Sequence, residues 1–112
     1  MNKEKIIKSS EEYTNIIKTG RCIHNKYFNI YYIKKDNTKY GISIPKKFGS
    51  AVIRNKYKRR IKSIIYNNEN SIQTNYNYAI ILKKDAIDID YQTLAMELIN
   101  NFKKVGANEE KI

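Results

Sequence analysis

Apolar positions along the chain change period several times, and the changes divide it into elements. Ser9-Ser10-Glu11-Glu12 has the form of a capping box, with Ser9 at the N-cap and Glu12 at N3. Tyr13, Ile16 and Ile17 follow at helical spacing. A first helix is expected over about residues 10–18, ending at Gly20, where a helix terminus favours positive φ. Residues 21–33 turn to a period of two. Phe28, Ile30 and Tyr32 fall on one side and Tyr27, Asn29 and Tyr31 on the other. Asp36-Asn37 reads as a turn. Tyr40 to Ile44 reads as a returning strand, which makes residues 27–44 a hairpin.

Pro45 ends that strand, and Ser50 is a good N-cap for a second helix reaching about Asn67. Ile53, Tyr57, Ile61, Ile64 and Ile65 gather on one side of it. Arg54, Asn55, Lys56, Lys58, Arg59 and Lys62 spread over the other. Residues 67–75, rich in Asn and Ser, form a loop. Tyr76 to Leu82 is a strand whose nearly unbroken apolar second half places it inside a sheet. Asp90 can cap a last helix carrying Leu94, Leu98 and Phe102. Gly106 is expected to stop it, leaving a frayed polar tail from Ala107 onward. The order is α-β-β-β-α-β-α, an α+β sandwich with helices on one face of a small sheet. One domain is expected over residues 1–112, with an ordered core from about 6 to 105, no internal repeat and no second domain.

Charge changes this picture most. The chain of 112 residues carries a formal net charge of +11. Residues 1–36 hold eight Lys or Arg against four acids, residues 37–68 nine against none, and residues 69–112 five against seven. The excess is a patch, and it coincides with the second helix. Exposed helix faces normally mix signs, because oppositely charged side chains one turn apart support the helix. A face of one sign repels itself in isolation and suits a polyanion.

Other classes are disfavoured. The longest apolar run, Ala79 to Leu82, is too short to cross a bilayer. Lys3, Glu4, Lys5 and Lys8 interrupt any signal core. A lone Cys22 cannot form an internal disulfide, so a cytoplasmic setting is the default. Heavy use of Lys, Asn, Ile and Tyr is that of an AT-rich genome, which favours Lys wherever either cation serves. Nuclease chemistry with the chain's own side chains needs an acid and a base, but His24 is the single histidine and lies in a strand. One Cys and one His cannot supply a zinc site. Asp85, Asp88 and Asp90 sit near a helix start, where capping explains them better than metal binding. Four scattered glycines make no phosphate loop. No catalytic residue and no metal site is therefore assigned. Ten tyrosines and three phenylalanines leave recognition as the remaining chemistry. Tyr27 and Tyr31, on one strand face beside a cationic helix, offer a groove where bases can stack while cations hold phosphates.

From Lys46 to Lys62 the chain resembles the protein subunit of bacterial ribonuclease P. The family's lead-in Lys-Lys-x-Gly-x-Ala-Val is matched by Lys46, Lys47, Gly49, Ala51 and Val52. Its signature Arg-Asn-Arg-x-Lys-Arg-x-x-Arg is matched by Arg54, Asn55, Lys58 and Arg59. Lys56 and Lys62 stand where the family prefers Arg, which keeps charge but loses the bidentate fork. Arg60 stands where the family usually has an aliphatic residue. Element order and length fit over roughly residues 6–105.

The resemblance implies a left-handed β-α-β crossover, as in the second domain of ribosomal protein S5. It also implies a monomer bound one-to-one to a catalytic RNA, acting on precursor tRNA to remove its 5′ leader. Bond breaking is implied to belong to the RNA and its Mg²⁺. RNA contacts would fall to Lys46, Lys47, Arg54, Asn55, Lys56, Lys58, Arg59 and Lys62. The single-stranded leader would lie in a cleft at Tyr13, Ile17 and Tyr31, with Ile17 replacing an aromatic. Two other readings of the residues stay open: a small ribosomal or RNA-chaperone protein, and a self-sufficient nuclease.

Overall fold

The computed structural model describes residues 5–110, with the side chains of residues 5–105. The elements are α1 (Ser10–Thr19), β1 (Arg21–His24), β2 (Phe28–Lys34), β3 (Lys39–Ser43), α2 (Ala51–Asn67), β4 (Tyr76–Leu82) and α3 (Tyr91–Glu110). The expected order and the α+β class are both present. Ser9 caps α1, its hydroxyl accepting from the Glu12 N–H, and Asp90 caps α3 by accepting from the Thr93 N–H at 3.1 Å.

The sheet is mixed, in the order β1-β2-β4-β3. β2 runs antiparallel to both β1 and β4, and β3 runs parallel to β4. The expected 27–44 hairpin is therefore wrong, because β4 lies between β2 and β3. Two features decide this, one local and one long-range. The chain turns tightly between β1 and β2, where the Asn25 N–H donates to the Phe28 carbonyl at 3.0 Å and Asn25 Oδ1 accepts from the Tyr27 N–H at 2.8 Å. β4 is buried over almost its whole length and needs a strand on each side to satisfy its backbone. The link from β3 to β4 carries α2.

Strand alternation gives the sheet two unlike faces. Phe28, Ile30, Tyr32, Tyr40, Tyr78, Ile80 and Leu82 meet Ile61, Ile64 and Ile65 of α2 and Leu94, Leu98 and Phe102 of α3 in the main core. At its centre Tyr40 and Tyr78 stack with ring centroids 5.5 Å apart, and Phe102 stands edge-on to both. On the opposite face Cys22, Tyr31, Ala79 and Gly41 fall in one row across the four strands. A Cβ on Gly41 would lie 2.6 Å from the Tyr13 ring, so α1 covers this second face. Helices therefore sit on both faces, not one. The small residues Ala79 and Gly41 leave room for a short helix whose one buried residue is Ile16.

Two glycine expectations also change. Gly20 has φ −79° and ψ 168°, extended backbone, not positive φ. Its constraint is space, since a Cβ would lie 2.5 Å from the Ile16 carbonyl oxygen and 2.6 Å from that of Tyr32. Gly106 does not stop α3, which runs on to Glu110. An interior glycine costs about 1 kcal/mol relative to alanine, less than the buried row Leu94, Leu98, Phe102 and Val105 contributes. A frayed tail from Ala107 thus gives way to helix, and residues 111–112 lie outside the described residues.

Gly20→Ala is expected to destabilise the fold by about 1–3 kcal/mol, since backbone rather than a side-chain tip must yield; the shift in urea midpoint measures it. Burial pushes the Tyr40 phenol up to about 12 and the Tyr78 phenol up as well. The folded state holds these protons more tightly than the unfolded chain. Their contribution is complete below the ordinary phenol value of 10.0 and is lost as pH rises through it toward 12. Unfolding titrations should show stability falling above about pH 10, less steeply in Tyr40→Phe.

Candidate nucleic-acid interface

The approach to α2 is built before the helix begins. Ile44 is buried, Pro45 fixes the chain, and a 3-10 turn over Lys46–Phe48 follows. Phe48 goes into the core edge-on to Tyr57, 5.1 Å between centroids, which pins the turn to α2. Lys46 and Lys47 are left exposed. Gly49 has φ +133°, a conformation other residues rarely adopt. Ser50 then caps α2, its hydroxyl accepting from the Ile53 N–H at 3.4 Å.

On α2 the apolar stripe is Tyr57, Ile61, Ile64 and Ile65, all buried. Ile53 does not join it. It lies in the first turn and stays 43% exposed, its side chain resting against Gly49. Asn55, Lys56 and Arg59 are exposed, and Arg54, Lys58, Arg60 and Lys62 are half-buried. The ion pairs seen among the described residues are Lys5 with Glu69 at 3.2 Å and Lys39 with Glu12 at 3.9 Å. None involves α2 or its lead-in. Arg60 lies over the Tyr57 ring at 5.8 Å. The Nε of Arg54 is buried without a hydrogen-bond partner, a deficit worth about 1–3 kcal/mol for a donor with no acceptor. The cations are thus gathered, and no carboxylate among the described residues pairs with them.

The aromatic positions lie elsewhere. Tyr13 and Ile17, one turn apart on α1, and Tyr31 on β2 are all half-buried. Tyr13 and Tyr31 share the sheet face that α1 partly covers. Burial raises the Tyr13 phenol above its ordinary value, with the nearby Tyr31 adding to the shift, and its hydroxyl is buried without a hydrogen-bond partner among the described residues. Burial likewise raises the Tyr31 phenol, and Cys22 beside it raises it further. Next along this face, Asn29 Oδ1 lies 3.2 Å from His24 Nδ1.

A single groove formed by this face and the cationic helix does not exist, because α2 packs on the other side of the sheet. Tyr27 does not share the platform either. It precedes β2 and packs against the main core, with Lys26 over its ring at 5.5 Å. The two surfaces come closest around β3. There Lys58 and Lys62 of α2 line a depression of about 170 Å³ together with Ile6, Ile7, Gly41 and Ile42. Ile7 donates to the Tyr40 carbonyl at 2.9 Å, so the N-terminal segment runs along this edge.

Sequence reasoning missed Gly41, the floor beneath Tyr13, and the His24–Asn29 pair beside Tyr31. Alternation puts Asn29 on the Tyr31 side of β2, but its neighbours there depend on strand order. Asp88, with φ +67°, donates its N–H to the Tyr57 hydroxyl, so it and Asp90 serve the backbone around the α3 start. No group of three or more His, Cys, Asp or Glu among the described residues has the arrangement to hold a metal ion.

The family model described as Ribonuclease P matches residues 1–106. The chain belongs to the ribonuclease P protein family. The ribonuclease P protein component of Mycoplasma capricolum is 40% identical over 110 residues, covering 94% of this chain and 99% of the relative. That of Streptococcus agalactiae is 34% identical over 108 residues, covering 95% and 98%. The RNase P protein of Thermotoga maritima superposes with a TM-score of 0.82 at 27% identity over 88% of this chain and 94% of that one. The Staphylococcus aureus RNase P protein gives 0.82 at 28% identity, over 90% and 94%. No helix among the described residues is long and apolar enough to cross a membrane.

If α2 binds RNA phosphates, Arg59→Ala should weaken RNA binding and make the slope of log affinity against log salt shallower by about one. Asn100→Ala, on exposed α3 surface, should leave both unchanged. Equilibrium binding at several salt concentrations measures the difference.

Proposed function

We propose that the protein is the subunit of ribonuclease P that grips the catalytic RNA through α2 and its lead-in and guides the 5′ leader of precursor tRNA. The observation that carries this reading is the set of cations on α2, unpaired by any described carboxylate, in a chain of this family. Lys46, Lys47, Arg54, Asn55, Lys56, Lys58, Arg59 and Lys62 take the RNA's phosphates and nearby polar groups. Tyr13, Ile17 and Tyr31 receive the single-stranded leader on the other face of the sheet, and the β3 edge lies between the two contacts.

The physical role is charge neutralisation and positioning. A large catalytic RNA and a precursor tRNA repel one another, and a domain of net charge +11 placed between them lowers that repulsion. Hydrolysis of the phosphodiester is assigned to the RNA subunit, with Mg²⁺ held mainly by RNA. Among the described residues no group of carboxylates converges on a metal position. We assign the protein to the cytoplasm as a monomer in a one-to-one complex with the RNA.

The test mixes the full-length protein, its cognate RNase P RNA and a precursor tRNA at low Mg²⁺. Cleavage that needs both macromolecules supports the reading. Cleavage by protein alone points to a nuclease, and no effect on cleavage points to a general RNA binder. Raised Mg²⁺ should partly replace the protein. With about six phosphates neutralised, affinity for the RNA should fall as roughly the fifth power of salt concentration. Tyr31→Ala should weaken binding of leader-bearing precursor by roughly tenfold while sparing mature tRNA.

A further inference from the structure

Tyr66 lies near the C-terminal end of α2 with 60% of its surface exposed. Sheet packing does not account for it. Tyr57, Ile61, Ile64 and Ile65 form the buried stripe, and Tyr66 falls on the opposite side of the helix. Among the described residues its ring meets no other ring or cation, and its hydroxyl makes no hydrogen bond. The other half-exposed tyrosine of the helical layer, Tyr91, is held by donating to Ser63 at 3.2 Å. Tyr66 has no such tether.

Its neighbours give it a context. Asn55, Arg59, Lys62 and Tyr66 recur at intervals of four, three and four residues, so they form one outward stripe along the helix. The stripe is roughly 16 Å long, enough to follow a few nucleotides of backbone. Two of its members are cations without internal partners, and the last is a flat, amphipathic ring open to solvent. A bare cationic face recognises phosphate, whereas a ring beside it recognises something planar. RNA supplies both within one nucleotide, the phosphate to Arg59 and Lys62 and a base face to the tyrosine. The charge of the stripe selects RNA over an apolar protein surface as its occupant.

We propose that Tyr66 is a stacking site for an unpaired base of the catalytic RNA, at the end of the path followed by the cations of α2. The inference rests on the functional reading above. It assigns Tyr66 to the RNA subunit and not to the leader, because α2 and the face bearing Tyr31 lie on opposite sides of the sheet.

The test measures binding of full-length protein to RNase P RNA without substrate, for wild type, Tyr66→Phe, Tyr66→Leu, Tyr66→Ala and Lys62→Ala. Tyr66→Ala and Tyr66→Leu should weaken binding roughly five- to a hundredfold, while Tyr66→Phe stays within about twofold of wild type. The salt slope should be unchanged in all three Tyr66 variants and shallower by about one in Lys62→Ala. Thermal midpoints of the variants, expected near wild type for an exposed site, separate lost stacking from lost folding.

Wild-type affinity in Tyr66→Ala overturns the inference. So does rescue by Leu equal to that by Phe, since apolar bulk alone would then suffice. A loss confined to leader-bearing precursor, with affinity for the RNA subunit intact, also overturns it. Wild-type protein that fails to bind the RNA defeats the functional reading itself, and this inference falls with it.

Discussion

The fold depends on the seam between α2 and the sheet, because α2 has little else to hold it. Its outward face carries cations with no acid among them, and its first turn has no carboxylate to complement the helix dipole. Like charges one turn apart work against such a helix by a few tenths of a kcal/mol per pair. Four buried side chains oppose this, each contributing roughly 1.5–3 kcal/mol relative to exposure. Tyr57 does more than fill space. Its ring meets Phe48 of the lead-in on one side and Arg60 on another, and its hydroxyl accepts the Asp88 N–H. One residue thus fastens the turn before α2, the helix itself and the approach to α3.

Self-repulsion of this kind is tolerable in a protein that meets counter-charge when it works. Among the described residues the cations of α2 enter no ion pair, and the Arg54 Nε is buried without an acceptor. The acids of the chain lie chiefly after residue 68; among the described residues Asp90 caps a backbone, Glu69 and Glu12 pair with lysines outside the helix, and Glu97 accepts from the Asn25 amide. The domain separates a cationic face from the core that holds it in place.

Much of this was legible in the sequence wherever local chemistry decides. The caps at Ser9, Ser50 and Asp90, the alternation of Phe28, Ile30 and Tyr32, and the one-sided charge of α2 are all short-range patterns. What failed was long-range. Asp36-Asn37 looked like a hairpin turn, but the pairing of β2 was settled by β4, about forty residues further on, whose buried length required two neighbours. The side of the sheet taken by α1 could not be seen in its own residues. It follows from the small Gly41 and Ala79, which share a row only once strand order is known. Gly20 and Gly106 were misread for a related reason. A glycine can answer a need for space, or be outweighed by packing along the same helix, as readily as it can signal a turn. The same strand order split the expected groove in two, leaving the cations and Tyr31 on opposite faces.

The central claim is that the outer face of α2 lies against the catalytic RNA. Directed hydroxyl-radical cleavage tests it most directly, with an iron chelate attached to a single cysteine in a Cys22→Ser background. Attachment at Ser63→Cys on α2 should cut the catalytic RNA at a few discrete positions, while attachment at Asn100→Cys on α3 should give little or no cleavage. Equal or stronger cleavage from the α3 position, or none from α2, would contradict the account.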